Sequence, residues 1–218
     1  MVSDRKLELA RLYTETARSY SRRYRRIQGE KHDLVLSKLP AGIGRLLDVG
    51  CGMGELLAKV GERAKMTVGV DISPGMVRAS RGSEVNLIVA DADRLPFADG
   101  SFDCVVSVTL LQNMPNPEKT VREMKRVVRP GGLVIVTALG KKHPEEELVR
   151  IMRSAGLLVR ESGRVGEDFY CVCERPGGRC RAVRNHNRYF GPGVTFSDET
   201  RGPRHRHDLG LRLRKARL

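Results

Sequence analysis

No segment of this 218-residue chain approaches the roughly 20 consecutive apolar residues of a bilayer-spanning helix, and the opening "MVSDRKLELARLY" has no apolar stretch of the kind found in a signal peptide. No membrane span is expected, and the expected compartment is the cytoplasm. Cysteine is sparse as well. Cys51, Cys104, Cys171, Cys173 and Cys180 are odd in number and mostly lie inside apolar, strand-like runs, which suits reduced thiols better than a disulfide framework. Cys171, Cys173, Cys180 and His186 match the spacing of no standard zinc site, so no metal is expected. Ser107, Thr109 and the five histidines form no visible catalytic triad.

What the chain has in excess is positive charge, a formal +14. It is not spread evenly. Residues 1–40 carry 10 Lys/Arg against 5 Asp/Glu, residues 41–174 carry 18 against 18, and residues 175–218 carry 12 against 3. The body is neutral and the basic character belongs to the two ends. Arg18, Arg22 and Arg26 share a helical stripe, with Arg23 and Arg25 beside it. Such a run is a solvated face or a grip on the phosphates of RNA or another anionic surface, and the basic tail poses the same choice.

Residues 4–39 have helical periodicity, and two helices are expected there, the second stopped by Pro40. From Arg45 the pattern changes to short apolar runs separated by amphipathic segments: "RLLDVG", "MTVGV", "VNLIVA", "DCVVSVTL" and "GLVIVTAL". Five runs alternating with helices predict a mainly parallel sheet covered on both faces. After the fourth run Asn116 caps a helix that opens with Pro117 and turns Val121, Met124, Val127 and Val128 inward, and "RPGG" ends it. Another helix begins near Pro144 and stops at Gly156. "LLVRES" and "DFYCVCE", joined by "GRVGE", predict a closing antiparallel hairpin, so the sheet has seven strands in a doubly wound, Rossmann-like α/β fold. The expected division is a helical lid over 1–40, a binding domain over 41–174, and a basic, disordered or weakly ordered tail over 175–218.

The glycines Gly50, Gly52 and Gly54 follow the first strand in "LLDVGCGMGE". A dinucleotide fingerprint needs its third glycine at 55, where Glu55 stands, and Asp48 and Glu55 oppose a pyrophosphate at the helix start. A cationic ligand head suits the turn better. Asp71, ending the second run, can accept from a ribose diol. Asp91 and Ala92, ending the third, can read an adenine edge, the carboxylate accepting from the amine and the backbone N–H donating to the ring.

These segments, with "VGVDISPGMV", "VADADRLPFADGSFDCVVS" and "EMKRVVRPGGLVIVT", resemble in order the motifs of class I S-adenosylmethionine-dependent methyltransferases, in the group that includes the ubiquinone/menaquinone-biosynthesis enzymes. The resemblance covers roughly residues 10–174. It implies S-adenosyl-L-methionine as cofactor, with Asp48, Gly50, Cys51 and Gly52 at its methionine end, Asp71 and Ile72 at the ribose, Asp91 and Ala92 at the adenine, and Val108 contributing backbone near the amine. It also implies a lid function for Tyr13, Tyr20 and Tyr24, whose bland alternative is packing of the leading helix on the domain.

Departures from the family bear on the acceptor. "LLQNMPNP" places Gln112 and Asn113 where many relatives carry two histidines, and neither an "NPPY"-like tetrapeptide nor a Pro-Cys nucleophile is present. The resemblance favours a small metabolite such as a quinone precursor. Methylation of tRNA, rRNA or protein, and a non-catalytic cofactor- or RNA-binding module, are the alternatives that the basic ends keep open. The third run is expected at a sheet edge, where strand addition can recruit a small activator protein.

Overall fold

The computed structural model describes residues 4–80 and 85–177, with the side chains of residues 4, 5 and 16–27 outside that description. The basic tail, Cys180 and His186, the side chains of Tyr20 and Tyr24, and the Arg18 to Arg26 stripe all lie outside the described residues. Among those described, no helix is long and apolar enough to cross a membrane.

Seven strands form one sheet: β1 (Ile43–Val49), β2 (Ala64–Asp71), β3 (Asn86–Val89), β4 (Phe102–Val108), β5 (Val128–Leu139), β6 (Leu158–Val165) and β7 (Asp168–Glu174). The order is β3-β2-β1-β4-β5-β7-β6. The first five strands pair in parallel, while β7 runs antiparallel to both β5 and β6. The five apolar runs thus become the five parallel strands, and the closing hairpin forms as expected. Its turn is tighter than "GRVGE" suggests. Gly163 to Val165 continue β6, and only Gly166, at φ 55, and Glu167 make the turn.

One helix, α1 (Asp4–Lys38), precedes the sheet where two were expected. Gly29 is the obvious break point, but an isolated glycine costs a helix only about 1 kcal/mol and is flanked by the helix formers Gln28, Glu30 and Lys31. Pro40 falls just beyond the helix end. The remaining helices are α2 (Glu55–Val60), α3 (Pro74–Ala79), α4 (Pro117–Val127) and α5 (Glu145–Ser154). The Asn116 side chain accepts from Lys119 N at 3.1 Å, Pro117 opens α4, and Val121, Met124, Val127 and Val128 are fully buried. At its far end "RPGG" is not a terminator. Val128 leaves α4 and enters β5 directly, and the left-handed Gly131 (φ 72) lies within the strand.

Two apolar layers enclose the sheet. One gathers Leu47, Val49, Val105, Met124, Val136 and Met152 under α4 and α5, and the other gathers Leu46, Leu57, Val106 and Ile135 with Val35 of α1 and Leu39 just after it. Strand alternation explains the split, since Leu46 and Leu47 take opposite faces. Cys171 and Cys173 both fall in the first layer, two residues apart on one face. The C-terminal half of α1 is therefore core, and its N-terminal half runs across the carboxyl ends of the parallel strands to α3. There Gly75 is the close approach: a Cβ added to it would lie 2.6 Å from Thr14 Cα.

Candidate functional site

The carboxyl ends of β1, β2, β3 and β4 open into one cleft. Asp48, Gly50, Cys51, Gly52, Asp71, Ile72, Asp91, Ala92 and Val108 all line it, and Tyr13 reaches it from α1. The nine candidates from four separate strand tips are thus brought together.

The glycine turn explains itself by its amides. Gly50, Gly52 and Gly54 are left-handed, at φ 78, 56 and 81, which lets the chain reverse tightly between β1 and α2. Gly50 N and Cys51 N both donate to Val70 O (2.8 and 3.0 Å), Gly52 N donates to Asp71 Oδ2 (2.9 Å), and Gly54 N donates to Cys51 O (2.9 Å). These donors are spent within the protein. A phosphate cradle needs such amides directed at the ligand, and these four are directed elsewhere.

Beside it stands Asp48, 2% exposed, whose Oδ1 has no hydrogen-bond partner. Burial, reinforced by the nearby Asp71 carboxylate, pushes its pKa up to about 7. A buried carboxylate with an orphaned oxygen calls for a donor, best a cationic one. Asp71 is also raised, by burial first, with the amides of Ser73, Gly52 and Ile72 opposing. Its two oxygens accept from Ser73 N (2.8 Å) and Gly52 N (2.9 Å), which fixes the carboxylate at the strand tip. Cys51 shares the turn but not the chemistry: burial holds its thiol well above the usual range.

The opposite wall comes from α1 and the end of β4. Lys6 Nζ donates to Asp91 Oδ1 (2.6 Å) and Asp93 Oδ2 (2.5 Å), Asp93 N donates to Asp91 Oδ1 (3.0 Å), and Asn113 Nδ2 donates to the Tyr13 hydroxyl (3.2 Å). Leu9, Leu110 and Met114 add apolar surface. Further along α1, Gln28 and His32, one turn apart, face the turn and Glu55. Burial, then Lys59, lowers the His32 pKa to about 4, so the imidazole is neutral at physiological pH. Thr109 follows Val108 into the cleft at φ 54, with its hydroxyl tied to Lys31 and Asp168.

Sequence reasoning missed Lys6, Gln28, His32, Lys31 and Asp168. The i, i+4 spacing of Gln28 and His32 was a usable signal that they share a face. Nothing local marks Lys6 or Asp168, because their side-chain partners are more than 30 residues away in sequence.

Residues 47–136 match the family described as Methyltransferase domain. Demethylmenaquinone methyltransferase of Thermus thermophilus is 39% identical over 112 residues, 48% of this chain and 50% of that protein. The chain spans about half the length of the curated relatives it matches. Among solved structures, 75% of this chain superimposes on 97% of a chain from the complex between the Haloferax volcanii Trm112 methyltransferase activator and a methyltransferase, with TM-score 0.69 at 20% identity. The N-methyltransferase NodS from Bradyrhizobium japonicum WM9, solved with S-adenosyl-l-homocysteine, aligns 86% of its length with 67% of this chain, with TM-score 0.58 at 18% identity. At these identities the structural likenesses speak for the fold.

Proposed function

We propose that this chain, which carries a class I S-adenosylmethionine-dependent methyltransferase domain, binds that cofactor across the tips of β1, β2 and β3 and methylates a small, uncharged acceptor admitted between α1 and the end of β4. The observation that carries this reading is the buried Asp48 Oδ1, which lacks a donor beside a glycine turn whose Gly50, Cys51, Gly52 and Gly54 amides are spent internally. That pairing suits a ligand with an ammonium and no phosphate.

The residues present fit the group. Asp48 with Gly50, Cys51 and Gly52 would hold the methionine end, Asp71 and Ile72 the ribose, Asp91 and Ala92 the adenine, with Val108 beside the amine. Both contacts that Asp91 makes with Lys6 and Asp93 N fall on Oδ1, so they do not consume Oδ2. Bound S-adenosylmethionine supplies an electrophilic methyl group on a positive sulfur. The chain's part is to orient and to exclude water: α1 covers the cleft, Leu9, Leu110 and Met114 dry it, and neutral His32 adds no charge to repel a cationic ligand. The apolar wall favours an uncharged acceptor, and the Thermus relative's name supports a quinone precursor.

Calorimetry with S-adenosylmethionine, S-adenosylhomocysteine and NAD tests the cofactor. Binding of the first two and not the third is expected, by the whole chain and by a chain ending at Glu174 alike, and preference for NAD overturns the reading. Transfer of labelled methyl to chemically reduced demethylmenaquinone tests the acceptor class.

A second reading concerns a partner. β3 is a sheet edge and Val89 there is 48% exposed, an apolar edge open to strand addition by a small activator. The Haloferax complex supports this. Full activity of the monodisperse chain expressed alone would remove its motivation.

A further inference from the structure

Among the described residues, Thr109 is the one non-glycine residue with positive φ, at 54°. For a β-branched side chain that conformation is an outlier, and it persists only where the surroundings over-determine it. Here they do. The Thr109 hydroxyl donates to Asp168 Oδ2 (2.8 Å) and accepts from Lys31 Nζ (2.9 Å), Thr137 Oγ1 donates to the same Asp168 oxygen (3.0 Å), and Lys31 Nζ stands 2.8 Å from Asp168 Oδ1. The Thr109 amide donates to Thr137 O (3.0 Å), and Gln112 Nε2 donates to Thr109 O (2.5 Å).

The tethers converge from α1, β5 and β7 on a single strand end. Its neighbours on both sides belong to the cleft. Val108 lines it, and Leu110 packs over Gly50 so closely that a Cβ on that glycine would lie 3.0 to 3.3 Å from three Leu110 atoms. Releasing Thr109 to negative φ would swing the Val108 carbonyl and lift Leu110 from the glycine turn.

Stability alone does not account for the ion pair. The Lys31 and Asp168 side chains are 5% and 0% exposed, and an apolar replacement of so buried a pair is often neutral or stabilising. We infer that Lys31 and Asp168 are positioning residues for the cofactor: through the Thr109 hydroxyl they hold that residue left-handed and so aim the end of β4 at the cleft. The inference rests on the methyltransferase reading above.

The test is binding of S-adenosylhomocysteine by calorimetry, with the melting temperature of each variant. In Lys31→Met/Asp168→Leu no buried charge is left unpaired, and the Thr109 hydroxyl keeps only the Thr137 hydroxyl, 3.4 Å away, which also accepts from Thr109 N at 3.1 Å. Its affinity is expected to fall about tenfold with the fold intact. Adding Thr109→Gly, which adopts positive φ without tethers, is expected to restore affinity to within about threefold of the wild type. A structural role for the pair predicts no such rescue. Should the pair variant not fold, Thr109→Ala against Thr109→Gly in the otherwise unchanged chain poses the same question, with about a tenfold loss expected for alanine and less than about threefold for glycine.

Wild-type affinity in the pair variant overturns the inference, as does a loss that glycine fails to rescue or equal losses for alanine and glycine. A folded wild-type chain that does not bind S-adenosylhomocysteine sinks the methyltransferase reading itself, and the inference falls with it at that earlier arm.

Discussion

The two walls of the cleft are built by different means. The wall formed by the tips of β1, β2 and β3 is local: Asp48, the three glycines, Asp71 and Asp91 lie at ends of consecutive strands, the glycine amides donate to oxygens a few residues away or on the adjacent strand, and Asp71 and Asp91 accept from nearby amides. The wall formed by α1 and the end of β4 is long-range, assembled from Lys6 on Asp91 and Asp93, Thr14 on Gly75, Asn113 on Tyr13, and Lys31 on Asp168. The first is shaped by backbone geometry and the second by side-chain pairs. A rigid recognition surface faced by a wall that can detach is what a cleft needs if its ligand must enter and leave.

Breaking the local wall should have the largest effect. In Gly50→Val the left-handed φ of 78° is strained and the side chain meets Leu110, so calorimetry should find S-adenosylhomocysteine binding weakened by at least about 100-fold, or ~2.7 kcal/mol. Retained affinity would mean that the turn does not approach the ligand.

Next comes the charge on that wall. Because the Asp48 pKa is raised to about 7, the empty protein keeps its proton well above the ordinary carboxylate range, while an ammonium ligand needs the ionised form. Affinity should therefore be level above about pH 7 and fall below it, by up to about tenfold per pH unit. The stability of the empty protein responds with the opposite sign. A raised carboxyl pKa means the native state binds more protons than the unfolded one, so this group's contribution declines as pH rises from about 4 to 7. Asp48→Asn should flatten both slopes, and a binding slope that survives the change would place the titrating group elsewhere.

This contrast also marks what the sequence can tell. Asp48, Asp71 and Asp91 were legible because a strand tip is set by the periodicity of the strand before it, and a carboxylate at that tip has few directions to face. The hairpin of β6 and β7 was legible for the same local reason, although its position in the sheet, with β7 between β5 and β6, is a tertiary outcome. The single helix α1 was missed because Gly29 carries a weak local penalty, while burial of Val35 and Leu39 and the docking of Thr14 on Gly75 hold both halves. Lys6 and Lys31 look in the sequence like ordinary solvated lysines. Both are buried, at 5% and 4% exposure, against carboxylates that only the folded chain brings near.

The second wall should yield to a wedge. In Gly75→Val the new side chain meets the backbone of Thr14, which cannot give as the end of a flexible side chain can, so the N-terminal half of α1 is pushed from α3. Overpacking of this kind costs about 1–3 kcal/mol. Limited proteolysis near residues 4–15 should accelerate, and S-adenosylhomocysteine should leave faster while Asp48 still sets the pH dependence. Unchanged proteolysis and an unchanged off-rate would show that this contact does not hold the wall closed.

The smallest effect belongs to the anchor of α1 farthest from the cleft. Lys38 Nζ donates to Glu161 Oε1 at 2.6 Å, and the Tyr170 hydroxyl donates to the same oxygen at 2.7 Å. The Lys38 hydrogen bond, then that of Tyr170, holds the Glu161 pKa below its ordinary range, and the shared carboxylate pushes the Tyr170 phenol up to about 12. Both charged side chains are about a quarter to a third exposed, at 26% and 32%, so solvent screening limits the pair to about 1 kcal/mol or less. A depressed carboxylate pKa gives stability that is present above the unfolded-state pKa and lost as pH falls through the folded one. Lys38→Ala should lower the melting temperature slightly at pH 7, with the difference vanishing as pH falls through the depressed Glu161 pKa, and leave cofactor affinity unchanged. If affinity moved with it, α1 would transmit strain along its whole length, and the separation drawn between the two walls would not hold.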